Sequence, residues 1–192
     1  MPNLKIRRDA FEDPKDPIAA YWAGFIAADG YIYIPKHKSP AVKLGLSSKD
    51  ISIIRSLKSW IGSEHTISIV NEGKEIHYSF SDSQIVNDLI STWGLKPRKT
   101  FTLQPPKCDT TVYSHYLRGL FDGDGSLFVE NYKSCSCKKI HKYPRAALIL
   151  CHTMLNWCRQ VMPKSICVKD TRHEGIYTLR WNAKPVLSEL GD

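Results

Sequence analysis

A ten-residue segment occurs twice in this chain, and that recurrence constrains the fold more than any other feature. Residues 21–30, running from Tyr21 through Gly24 to Asp29 and Gly30, return as residues 116–125, from Tyr116 through Gly119 to Asp124 and Gly125. The offset of 95 residues is about half of the 192-residue chain, so one structural unit is expected to be present in two copies. Each copy follows a helix-start signal, Asp16-Pro17 in the first and Thr110-Thr111 in the second. Each ends in Asp-Gly, where the glycine is expected to close the helix in the left-handed cap conformation.

The similarity continues beyond the helix. Ile32, Tyr33 and Ile34 correspond to Leu127, Phe128 and Val129, and the alternation of Val42, Leu44 and Leu46 returns in Ala146, Leu148 and Leu150. The second alternation sits at an offset of 104, so the second copy carries nine extra residues between its first two strands. A helical stretch follows in both copies, residues 50–61 and 153–162, and then two strands around a turn at Asn71-Glu72-Gly73 or His173-Glu174-Gly175. Ile85, Val86 and Leu89 match Val186, Leu187 and Leu190 in a last helix that is shorter in the second copy. The half-unit therefore reads α-β-β-α-β-β-α. The expected organisation is an N-terminal arm at 1–15, a first half-domain at 16–96, a proline-containing linker at 97–110 and a second half-domain at 111–192.

Gly24 and Ala28, like Gly119 and Gly123, lie four residues apart and form a smooth helical stripe that admits a partner helix at close range. The two copies are natural partners for each other. Packed about a pseudo-twofold axis, they would bring Asp29 and Asp124 together at their C-terminal ends. Two like charges ~4 Å apart repel by roughly 4 kcal/mol at an effective dielectric near 20, and each faces the negative end of a helix dipole. A divalent cation reverses that balance. Oxygen-only ligands suit Mg²⁺, and Mn²⁺ is expected to substitute for it.

The charge points to the substrate class. A net charge of +8 and an isoelectric point near 9.2, with Lys and Arg spread along the chain, favour an extended acidic partner over one anionic pocket. No Gly-rich phosphate loop is present, which counts against an enzyme of small phosphorylated molecules. No window approaches the ~20 apolar residues of a membrane span, and the six cysteines lack the spacing of a disulfide scaffold. An intracellular protein without a membrane partner is expected.

The two repeated segments resemble the LAGLIDADG motif, whose last acidic position is Asp29 in one copy and Asp124 in the other, and the likeness in element order covers nearly the whole chain. The resemblance implies a homing endonuclease of α+β fold: two pseudo-symmetric half-domains joined through the central helix pair, with antiparallel sheets forming a saddle on double-stranded DNA. It further implies a monomer whose two acids share divalent ions, each acid serving one strand of a staggered cut. The backbone carbonyls of Ala28 and Gly123 would assist in holding metal. The motif's earlier acidic position, Ala27 here in one copy and Asp122 in the other, mainly packs the helices. Near the end of the second strand the family often carries an amide or lysine. This chain has Ser47-Ser48-Lys49 and Cys151-His152 instead, and Lys49 and His152 are the candidates for the supporting catalytic role.

In each sheet one face packs on helices and the other alternates outward. The strand phase puts Lys43, Ser47, His77 and Ser79 outward in the first half and Arg145, Cys151, Thr178 and Arg180 in the second, as candidate base contacts. Arg98 and Lys99 of the linker and Lys138 and Lys139 of the insertion are candidate phosphate contacts. Cys135, Cys137 and His141 could ligate zinc, but a fourth ligand at sensible spacing is missing, so zinc is not expected. A non-cleaving relative, an RNA maturase or a DNA-binding protein, remains the alternative reading. Retention of both acids weighs toward cleavage.

Overall fold

The computed structural model describes residues 4–97, 102–133, 140–162, 165–169 and 175–182. Helix α1, Pro17–Asp29, begins where Asp16 accepts hydrogen bonds from Ile18 N at 2.7 Å and Ala19 N at 3.2 Å, with Pro17 at the first helical position. Carboxylate capping satisfies two N–H groups that have no intrahelical partner. Asp16→Ala is expected to cost about 1 kcal/mol, read as a fall in melting temperature of about 2–4 °C. The helix is buried on nearly every side from Ala19 to Ala27, as a central element must be.

Strands β1 (Gly30–Tyr33) and β2 (Ala41–Ser47) form a hairpin, and a 3-10 turn at Ser48–Asp50 leads into α2, Ile51–Trp60. Strands β3 (Ile67–Val70) and β4 (Glu75–Ser81) follow, joined through Asn71–Gly73, whose three residues all have positive φ. Asp82 then caps α3, Ser83–Ser91, accepting from Gln84 N and Ile85 N. The second half repeats the order: α4 (Tyr113–Asp124), β5 (Gly125–Lys133), β6 (Ile140–Cys151), α5 (His152–Val161), β7 (Ile166–Lys169) and β8 (Ile176–Asn182). The two four-stranded antiparallel sheets run β1-β2-β4-β3 and β5-β6-β8-β7. The α-β-β-α-β-β-α reading holds for the first half and, up to β8, for the second. The expected last helix of the second half lies outside the described residues.

The nine-residue insertion lengthens a hairpin. The β5–β6 ladder continues from Val129↔Pro144 to Lys133↔Ile140, well past the point at which β1 and β2 separate. Residues 134–139, including Cys135, Cys137, Lys138 and Lys139, lie outside the described set, as do Arg98 and Lys99.

One expectation is overturned at the helix ends. Gly30 (φ −92°, ψ 170°) and Gly125 (φ −78°, ψ 157°) are extended, not left-handed. The chain passes directly from helix to strand, so glycine is required there for space. A Cβ on Gly30 would lie 2.7 Å from Ile26 Cγ2, and one on Gly125 would lie 2.3 Å from the Phe121 carbonyl oxygen.

The N-terminal arm is part of the core. Phe11 is fully buried, its ring edge-on to Trp60 at 5.2 Å, and its carbonyl accepts from Trp93 Nε1 at 2.9 Å. The linker packs as well: Gln104 N donates to Gly94 O and Lys107 N to Thr92 O, and Leu103 and Cys108 are buried. Among the described residues no helix is long and apolar enough to cross a membrane.

His65 makes stability depend on pH. Its Nδ1 lies 3.0 Å from Ser63 Oγ, and its Nε2 accepts from Ser81 N at 3.5 Å. Burial, and then the charge of Lys58, hold its pKa below the ordinary value. The unfolded ring takes up a proton first as pH falls, so this contribution is present above about pH 6.5 and is lost as pH drops through the folded pKa. His115, lowered by burial and Arg118, acts in the same direction. Urea midpoints are expected to decrease from pH 7 toward pH 5, with a shallower slope in His65→Gln.

Candidate active site

Helices α1 and α4 cross at backbone distance. An added Cβ on Gly24 would lie 2.0 Å from Tyr116 O, and one on Gly119 would lie 1.9 Å from Tyr21 O. Further along, a Cβ on Gly123 would meet Ala28 Cβ at 2.3 Å and Asp29 Oδ2 at 3.1 Å. These pairings advance together along both sequences, so the helices run parallel and end side by side. The glycine stripe read from the repeat is the surface of contact. It brings Asp29, half-buried, and Asp124, exposed, to the same end of the pair.

A cross-helix contact fixes the register further up. Tyr21 Oη donates to Asp122 Oδ2 at 2.9 Å, and the Arg118 guanidinium lies over the Tyr21 ring at 5.1 Å. Burial, then the hydrogen bond to Asp122, push the Tyr21 hydroxyl up to about 12. Ala27, at the matching position of the first copy, is buried. The earlier acidic position thus ties the helices together in the second copy.

Beside Asp124 lies a pocket of about 320 Å³, bounded by Ala27, Ala28, Leu103, Ile149, Cys151 and Ile176 among others. The helix ends carry two carboxylates, and the resemblance adds the main-chain carbonyls of Ala28 and Gly123 as expected oxygen donors. Such oxygen-only chemistry fits a hard divalent cation that keeps much of its water and needs one or two carboxylates. Among the described residues, no group of three or more His, Cys, Asp or Glu is placed to hold a metal.

The outward faces of the sheets largely follow the sequence reading. Cross-strand pairs Lys43↔Ser79 and Gly45↔His77 stand on one face of the first sheet, with Ser47, His77 and Ser79 exposed and Lys43 half-buried. In the second sheet Ala147↔Arg180 and Ile149↔Thr178 occupy the corresponding face, with Thr178 and Arg180 half-buried. Cys151 departs from expectation. It has the outward phase but is buried, because the linker covers it: Leu103 O accepts from Cys151 Sγ at 3.6 Å and from Thr153 Oγ1. Arg145 is engaged by Glu130, Nε to Oε2 at 2.9 Å, and lies over the Tyr143 ring at 5.7 Å.

The two supporting candidates are placed differently. Lys49 is exposed in the 3-10 turn just after β2, its N–H donating to Ser47 Oγ at 3.4 Å. His152 opens α5 with its ring 5.7 Å from that of Tyr177. Tyr177 alternates with Thr178 and so belongs to the helical face of the sheet, and His152, like Lys49, is exposed. Sequence reasoning missed Tyr31 and Tyr33, whose rings lie 5.9 and 4.4 Å from Lys43 Nζ, and Phe128, 6.0 Å from the Arg180 guanidinium. Their alternation was visible, but β1↔β2 pairing is needed to put Tyr31 opposite Lys43.

No family model matches the sequence, and no curated protein matches it. Solved structures do match in shape. The LAGLIDADG homing endonuclease I-SmaMI bound to cleaved DNA superposes with TM-score 0.62 at 13% identity, over 92% of this chain and 83% of that one. The LAGLIDADG meganuclease I-AabMI bound to uncleaved DNA gives TM-score 0.66 at 14% identity, over 91% and 82%. The fold is that of the LAGLIDADG meganucleases. I-SmaMI bound to an uncleaved DNA target in the presence of calcium ions also matches, with TM-score 0.63 at 14% identity over 92% and 85%. Within the meganuclease fold, the repeated helices of this chain are the central pair and the two sheets its flanks.

Proposed function

We propose that the chain is a site-specific endonuclease that cuts both strands of a long DNA target in a reaction dependent on a divalent cation. The observation that carries this reading is the parallel, backbone-close helix pair, which gathers Asp29 and Asp124 at one end. Converging carboxylates at the negative ends of two helices are electrostatically unfavourable, and a cation offsets that cost. The neighbours in shape were captured on DNA, one on cleaved DNA and one with calcium on an uncleaved target, which supports the same reading. Mg²⁺ is the proposed cofactor, with Mn²⁺ as a substitute.

Asp29 and Asp124, with the carbonyls of Ala28 and Gly123, would hold the cation. When bound, it supplies activation of water and neutralisation of charge at the phosphodiester and its leaving oxygen. The side chains hold position. Each carboxylate serves one strand, Lys49 is the proposed partner of the phosphate on the Asp29 side, and the outward sheet faces hold the duplex in register. Lys43, His77, Thr178 and Arg180 are the proposed base contacts, and Arg98, Lys99, Lys138 and Lys139 the proposed phosphate contacts. One chain carries both halves, so a monomer acts on one target.

The test is incubation with Mg²⁺ and a randomised duplex library that also contains the sequence flanking the gene, followed by sequencing of the ends. Staggered breaks at one long site support the proposal. Binding without breaks in both Mg²⁺ and Mn²⁺ would instead support a DNA-binding protein. Phosphate contacts also predict a steep salt response: affinity falling on the order of a thousandfold between 50 and 200 mM salt if six or more phosphates are neutralised.

A further inference from the structure

The two outward sheet faces, related by the repeat, differ in chemistry at their centres. Position by position, Lys43, Gly45 and Ser47 of β2 become Ala147, Ile149 and Cys151 of β6, and Glu75 and His77 of β4 become Ile176 and Thr178 of β8. Ile149 stands in mid-ladder opposite Thr178, and its side chain is 53% exposed. With Ile176 and Cys151 it borders the pocket beside Asp124, so this apolar strip reaches the end of the helix pair. In the first sheet the corresponding surface is a notch of about 310 Å³ at Gly45, flanked by Lys43, His77 and Ser79.

An isoleucine can neither donate nor accept a hydrogen bond, so it cannot read the polar pattern of a base edge. In the major groove only thymine presents an apolar group, its 5-methyl. We propose that the second sheet selects thymine at the base pairs nearest Asp124 through contact of Ile149 with the 5-methyl group, Ile176 bordering the same pocket, and that the first sheet, with Gly45 at the equivalent place, does not. The target is then asymmetric, with a thymine-bearing position on one side of the cut only. The inference rests on the DNA-binding reading above.

Uracil differs from thymine by that methyl alone. The experiment is selection of bound duplexes from two randomised libraries, one made with dTTP and one with dUTP, in Ca²⁺. It uses the full chain, Ile149→Ser, and Gly45→Ile, whose new Cβ would lie 3.5 Å from His77 Cδ2 at ordinary van der Waals distance. The full chain is expected to enrich thymine on one side of the centre and to lose about fourfold per methyl with uracil, while preferences on the other side persist. Ile149→Ser should erase the difference between the libraries, and Gly45→Ile should create a thymine preference on the opposite side. Equal enrichment with thymine and uracil, or a difference that survives Ile149→Ser, would overturn the inference and leave DNA binding intact. No enrichment from either library would overturn the DNA-binding reading itself.

Discussion

Asp29→Asn and Asp124→Asn are each expected to abolish double-strand cleavage while leaving DNA binding within a few-fold of the parent. On a plasmid carrying the selected target, the parent yields linear DNA and each variant yields at most nicked circles. The rate of linearisation is expected to fall by on the order of a hundred- to a thousandfold, the scale of losing one preorganised electrostatic group. Asparagine keeps the shape of the side chain and removes the charge a cation needs. Each acid also sits at the negative end of its helix, where a neutral side chain is tolerated better than an anion. The melting temperature should therefore not fall. Linear product at the parental rate from either variant would refute the assigned roles, and a large loss of stability would show that the acids serve the fold.

Gly119→Ala is expected to be the most damaging single-methyl change in the molecule. The added carbon would lie 1.9 Å from Tyr21 O and 2.8 Å from Phe25 N, both backbone atoms that no rotamer change can move. The helices must separate, and the packing of the buried Ala20, Ala23 and Leu120 separates with them. Overpacking a tight core commonly costs about 1–3 kcal/mol, and a clash between two backbones belongs at or above that upper limit. The higher helix propensity of alanine returns at most about 1 kcal/mol. A melting temperature lower by roughly 5–10 °C follows for a chain of this size. Gly24→Ala, whose methyl would meet Tyr116 O at 2.0 Å, should behave alike. An unchanged melting curve for either variant would mean that the helices are not in backbone contact.

The central features of the site were legible because they are periodic or repeated. Gly24, Asp29, Gly119 and Asp124 recur at one offset, and that regularity identified the helix pair, its small-residue stripe and the converging acids. Lys43, His77 and Thr178 were placed outward by alternation alone, since a strand's side chains have a period of two. Alternation could not foresee a covering segment. Cys151 has the outward phase and is nonetheless buried, because Leu103, 48 residues earlier in the chain, lies over it. The same limit applies to Tyr31, whose place beside Lys43 depends on strand pairing, and to Arg145, whose charge is taken up by Glu130 from the neighbouring strand.

What this sequence determined by itself is the part of the protein encoded in local spacing: two half-units, their element order, the faces of their strands and the pairing of two acids. Helical and strand periods are properties of the backbone, so a sequence states them wherever it is amphipathic or repeated. The tertiary structure alone decided the long-range details. Gly30 and Gly125 are extended, with no room for a Cβ beside Ile26 and Phe121, where a left-handed cap was expected. The N-terminal arm enters the core through Phe11, and the linker closes over Cys151. Each of these depends on atoms brought together from distant positions or on steric limits at a single turn, and no periodic pattern in the chain encodes either.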